Sequence, residues 1–276
     1  MTASKTYRSP SRAYYVTGAV LLGIVILAFI LSLTGIAPSP NATSAAEKLQ
    51  GPSAAHLMGT DNMGRDVFAR CLAASKYTLL ISVTGVLIAF TAGVITGLLA
   101  GYFGGFCDRI IMLFSNSIMC FPGILLALVA VAVFGPSLFN VVIALGVVFA
   151  PTFARVARTG TIGLLSQEYI MHAKVLKVRP SRIMAVHIFP NLMPQLLPAT
   201  VIGLANMTLF ESGMSYLGLG VQPPDASYGK MLADAQSYMM HYPWMIIFPS
   251  LMLVCYILGL YFLSEGIRIS LGGESR

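Results

Sequence analysis

Charge is the scarcest property of this sequence. Of 276 residues, 10% are Asp, Glu, Lys or Arg while 57% are hydrophobic, and the mean hydropathy is +0.80. A soluble domain carries about a quarter charged residues, so a water-soluble globular fold is excluded. The net charge of +7 then reads as a matter of membrane topology and requires no nucleic acid. Basic and aromatic residues do not interleave as they do along a nucleic-acid groove. Cysteine is also scarce. Cys71, Cys107, Cys120 and Cys255 are far apart and form no C-x-x-C pair, so they read as small apolar fillers with no disulfide or metal role. The G-x-x-x-x-G-K-[ST] phosphate loop and any Ser, His and Asp at nucleophile spacing are missing too, which argues against an enzyme.

Where charge vanishes altogether, the chain can cross a bilayer. The run from about Tyr14 to Ile36 would extend roughly 35 Å as a helix, more than the ~30 Å hydrocarbon core. It is too long for the apolar part of a cleaved signal peptide, and an uncleaved first span is expected. Further charge-free runs lie between Lys76 and Asp108, Arg109 and Arg155, Arg182 and Glu211, and Asp234 and Glu265. The Arg109–Arg155 run is long enough for two helices, broken most simply at Gly135-Pro136. The reading is an all-α integral membrane protein with six transmembrane helices. It divides into an N-tail (1–13), a first span (14–36), an external segment (37–76), a five-helix core (77–265) with a polar loop at 155–191, and a C-tail (266–276).

Basic residues set the orientation. Lys5, Arg8, Arg12, Arg109, the loop residues Arg155, Arg158, Lys174, Lys177, Arg179 and Arg182, and the C-terminal Arg268 and Arg276 fall on one side. Lys48, Arg65, Arg70, Lys76 and Lys230 fall on the other. The positive-inside rule then places both termini and the central loop in the cytoplasm.

Two polar stretches stand out. In the central loop, Ser166 is a candidate N-cap with Glu168 in the first turn, and apolar Leu165, Tyr169, Ala173 and Leu176 recur at helical spacing, which predicts a short amphipathic helix. Pro180 should end it, and Ser181 can cap a second short helix running to Pro190. In the external segment, glycines beside polar caps in His56 to Asp66 predict a turn feeding a helix that begins near Arg65. The acids there fail the spacing of an EF-hand calcium loop.

These stretches carry a resemblance. Glu168-Tyr169-Ile170-Met171-His172-Ala173 followed by His187-Ile188-Phe189-Pro190-Asn191 resembles the cytoplasmic E-A-A coupling loop of ABC-importer permeases in the dipeptide/oligopeptide/nickel branch. Met58-Gly59-Thr60-Asp61-Asn62-Met63-Gly64-Arg65-Asp66 is similar to that branch's L-G-T-D-x-x-G-R-D motif, and Ser215 to Pro224 to its S-F-L-G-L-G-V-Q-P-P signature. Gly101-Tyr102-Phe103-Gly104-Gly105 and Phe121-Pro122-Gly123 also fall in family order. The resemblance implies a permease subunit of the bacterial inner membrane. It implies a second, homologous permease, two cytoplasmic ATPases that handle ATP and Mg in place of this chain, and an external substrate-binding protein. Glu168, Tyr169, Met171, His172, Ala173, Leu176 and Lys177 are the implied ATPase-coupling residues, and Gly59, Thr60, Asp61, Gly64, Arg65 and Asp66 the implied external motif. The E-A-A triplet reads Met171-His172-Ala173, and Lys177 stands where the family has glycine, a position where lysine would not be expected to permit a tight turn.

Glu211 is an acid inside a span, where charge is costly, and with Met207 and Met214 it is a candidate for the translocation path or its outer gate; the competing reading is a structural hydrogen bond. The implied cargo is a di- or oligopeptide. Nickel or a metal chelate is the alternative, hinted at by outer-side His56, His241, Met58, Met63, Met239 and Met240. A channel without an ATPase is disfavoured by the lack of a filter-like polar stripe.

Overall fold

A computed structural model describes residues 8–34 and 38–272. The expected tails fall partly outside these residues, at 1–7 and 273–276. The chain forms α1 (Arg8–Thr34), α2 (Val67–Phe103), α3 (Gly105–Met119), α4 (Gly123–Phe134), α5 (Leu138–Leu165), α6 (Glu168–Val175), α7 (Pro180–Tyr216), α8 (Tyr228–Ala235) and α9 (Trp244–Gly272). Among the described residues the only β-type pairing is an isolated bridge between Thr60 and Asp66.

Five helices, α1, α2, α5, α7 and α9, are long and apolar enough to cross a membrane, and α3 with α4 supplies a sixth candidate span bent by 87°. The expected break at Gly135-Pro136 does separate α4 from α5, with Gly135 at φ +92°. The second break, at Cys120 to Pro122, was not foreseen. Proline has no N–H to give the preceding turn, and the chain changes direction there.

The segment after Pro180 also departs from expectation. Arg179, not Ser181, is the N-cap, Pro180 takes the first helical position, and the helix continues through Pro190 to Tyr216. Continuity comes from a wide π turn over Ile183–Ile188, in which the Phe189 N–H reaches the Met184 carbonyl. Just beyond it, Asn191 Nδ2 donates to the His187 carbonyl at 2.7 Å. Prolines are tolerated in spans where side chains and local widening satisfy the freed backbone groups.

α2 and α5 form the central pair. Gly93, Gly97 and Gly101 recur every fourth residue on the α2 face toward α5, and a Cβ on Gly97 would sit 2.3 Å from the Ala154 carbonyl oxygen and 2.8 Å from the Ala157 Cβ. Only glycine permits that approach, the same small-residue logic that joins helices in membranes generally. One core, with Ile81, Leu145, Phe153, Leu192, Leu196 and Met207, lies among α2, α4, α5, α6 and α7; a second, with Val25, Cys71, Tyr228, Met252 and Tyr256, joins α1, α8 and α9 to the N-terminal end of α2. The opposite face of α2 exposes Leu80, Val83, Leu87 and Ile95. Its Thr84, Thr91 and Thr96 hydroxyls donate to carbonyls one turn back, which lets polar side chains face lipid.

Candidate functional site

α6 hangs between α5 and α7. Gln167 is its N-cap and offers its carbonyl to the Ile170 and Met171 N–H groups at 3.0 and 3.1 Å. Ser166, the expected cap, instead donates its hydroxyl to the Gly163 carbonyl. The far end closes on Lys177, which takes a left-handed φ of +54°; the Val178 N–H reaches the Ala173 carbonyl and the Lys177 N–H the Lys174 carbonyl. This is the Schellman geometry that normally selects glycine. Lysine therefore makes the tight turn it was not expected to make, at a cost of about 1 kcal/mol in backbone conformation.

The inward face of α6 is Ile170 and Ala173, and Ala173 is 8% exposed. Ala173 packs beside Ile170 into the chain's own core. Tyr169 and Leu176, expected beside it on the apolar stripe, are exposed. Glu168, Met171, His172, Val175 and Leu176 point away from the body of the chain, with Val175 78% and Leu176 77% exposed. Val175 escaped the sequence reading. Lys174 reaches back to within 5.5 Å of the Tyr102 ring, tying α6 to the end of α2.

At the other end of α2, the six external-motif residues gather into one turn. Asp66 caps α2, its Oδ1 accepting the Ala69 N–H at 2.8 Å while Oδ2 lies 2.8 Å from His56 Nδ1. Asp61 accepts the Met63 and Arg65 N–H groups and, at 2.6 Å, Arg65 Nε. Thr60 donates to the Glu47 carbonyl, and its own carbonyl accepts from Trp244 Nε1 at 3.2 Å. Gly64 has φ +74°, and a Cβ there would lie 1.9 Å from the Ser44 carbonyl oxygen. Arg65 and Lys230 both reach Asp234 on α8, at 3.7 and 3.0 Å. The result is a rigid platform linking α2, α8 and α9.

Met207, Glu211 and Met214 are enclosed within the chain: both methionines are fully buried and Glu211 is 1% exposed. Met207 packs against Gly85. Within the chain Glu211 makes a hydrogen bond of the kind the structural alternative calls for, with the Ser215 hydroxyl as its partner. The outer residues raised for a metal cargo are dispersed in role. His56 is bonded to Asp66, Met58 packs into the second core, and Met63, Met239 and Met240 are exposed.

With this geometry in place, comparison with known proteins is decisive. The model of the family described as binding-protein-dependent transport system inner membrane component matches residues 93–268. The chain belongs to this family. It is 34% identical over 275 residues to the dipeptide transport system permease protein DppC of Alkalihalophilus pseudofirmus, covering 98% of this chain and 90% of that protein. It is 37% identical over 222 residues to the glutathione transport system permease protein GsiD of Pectobacterium atrosepticum, covering 80% and 74%. The oligopeptide transport system permease protein OppC of Haemophilus influenzae is 31% identical over 280 residues, covering 98% and 89%. Among solved structures, a chain of the inward-facing MetNI methionine ABC transporter shares the fold with a TM-score of 0.58 at 17% identity, covering 75% of this chain and 97% of that one. The protein is thus an inner-membrane permease component of an ABC importer. In the permease, α6 falls within the matched region, as do the α8 and α9 parts of the platform, while the 59–66 turn precedes it.

Proposed function

We propose that this permease carries di- or oligopeptides, handed over by an external binding protein, along a path it shares with a second permease. Two cytoplasmic ATPases drive the cycle by seating on the outward face of α6. The observation that carries the cargo reading is the agreement of the relatives above, two of them named for dipeptides and oligopeptides and one for glutathione. The docking reading rests on α6, where Val175 and Leu176 leave a large apolar surface on a helix eight residues long. Exposed apolar side chains flanked by Glu168 and His172 suit a groove in a partner protein, the usual way a short amphipathic helix is captured. A helix gripped there and joined to α5 and α7 converts closure of the ATPase pair into rigid-body tilting of both spans. The excess of basic residues in the central loop supports a cytoplasmic position for α6.

The test is uptake of a labelled dipeptide and, separately, of labelled nickel, in cells lacking this chain and in cells with it restored. Loss and recovery of dipeptide uptake alone supports the proposal. Loss and recovery of nickel uptake alone sinks the peptide assignment and leaves the permease architecture standing.

A further inference from the structure

Glu211 is an acid inside α7 that neither the α6 face nor the external platform uses. Among the described residues no Lys, Arg or His pairs with it. Its partners are hydroxyls: Ser215 donates to Oε1 at 2.6 Å, and Ser212 approaches Oε2 at 3.4 Å. Ser215 is fully buried and has a second partner, the Val221 N–H, which donates to its oxygen at 3.1 Å. A hydroxyl has one proton to give. With that proton committed to Glu211, a lone pair is turned to the backbone of the segment that follows α7.

That segment is folded tightly over the same serine. Gly218, at φ +83°, ends α7 as the Leu219 N–H reaches the Met214 carbonyl at 2.9 Å. Two residues later the chain crosses so close that a Cβ on Gly220 would lie 1.9 Å from Ser215 Oγ. Gln222 Nε2 then braces the Gly218 and Gly220 carbonyls at 3.1 and 2.9 Å. What remains outside is a tip formed by Tyr216, Leu217, Pro223 and Pro224.

We infer that Glu211 is a positioning residue for this turn: its carboxylate orients the Ser215 hydroxyl, the hydroxyl holds Val221, and the exposed tip at the end of α7 is thereby fixed in one conformation. The acid acts as a hydrogen-bond acceptor, and its charge has no part in contacting cargo. The inference rests on the proposed function only for the side of the membrane on which the tip lies. Glutamine separates the two roles, because an amide oxygen still accepts from Ser215 while its N–H group turns toward Ser212.

The experiment uses the complete importer with Leu217→Cys as a reporter, its labelling by an impermeant maleimide corrected for the parent chain without that cysteine. Glu211→Gln should leave the labelling rate within about twofold and retain most uptake. Glu211→Ala and Ser215→Ala should each raise labelling and lower uptake by about fivefold or more, and the double variant should be no worse than either single, as for two members of one chain of bonds. Ser215→Ala keeps the acid in place, so it carries the test if Glu211→Ala does not assemble. Loss of uptake in Glu211→Gln with a silent Ser215→Ala overturns the inference, as do unchanged labelling rates in both alanine variants. Labelling of Leu217→Cys only in inverted vesicles would reverse the topology, and the comparison among variants, run in those vesicles, would still decide the role of Glu211.

Discussion

At the scale of single residues, α6 separates what holds the helix from what the helix presents. Replacing Leu176 with Asp alters a side chain in solvent, so the melting midpoint of the purified complex should move little, by the equivalent of about 0.5 kcal/mol or less. ATPase stimulation by loaded binding protein should be lost. Ala173→Glu should do the opposite first, since an unpaired carboxylate forced into the core costs several kcal/mol and should lower the melting midpoint before any coupling is measured. A reversal of these two outcomes would place Ala173 on the docking side. Lys177 supplies a third case. Glycine adopts φ +54° without strain, so Lys177→Gly should stabilise the loop by roughly 1 kcal/mol, read as slower proteolysis between α6 and α7. The stripe Leu165, Tyr169, Ala173, Leu176 does not share one face: Leu165 ends α5 before the break at Ser166 and Gln167, and within α6 Ala173 is buried together with Ile170, three residues back, while Tyr169 and Leu176 are exposed.

Among the elements, the α2–α5 seam should be the least forgiving. Gly97→Leu places a branched side chain where the Ala154 carbonyl already stands, and overpacking of this kind costs about 1–3 kcal/mol or more. Gly163→Ala, on the same pair of helices but with open space around it, should be neutral or stabilising by up to about 1 kcal/mol. Thermal melting of the two variants beside the parent checks both. The spans themselves were legible because each is built on a long run in which charge is absent, with charged residues resuming toward its ends. The bend between α3 and α4 was not, since it lies inside a long apolar run with no polar marker, and Phe121-Pro122-Gly123 registered only as a family feature. The single course of α7 was hidden for the converse reason: Pro190 reads as a stop, and a π turn that absorbs it leaves no trace in composition. The external turn was the most readable element, because Gly64 and the acids around it demand one another's geometry.

For the whole molecule, orientation is the property most open to a direct check. In a chain retaining Cys107 alone, an impermeant thiol reagent should label inverted vesicles and spare intact cells; the opposite pattern would turn the protein over. Cys71, near the N-terminal end of α2, is no reporter, because it is fully buried behind α8 with its carbonyl accepting the Tyr228 hydroxyl. α2 has a further consequence for the way the two faces communicate. Its 37 residues make a rod about 55 Å long, with Asp66 and His56 at one end and Tyr102 beneath Lys174 at the other. Such a rod behaves as a seesaw: tilting it by roughly 2° about its middle swings each end by about 1 Å in opposite directions. A pull at the Tyr102 end and the opposite swing at the Asp66 end are then one event, with no relay of side chains needed between them.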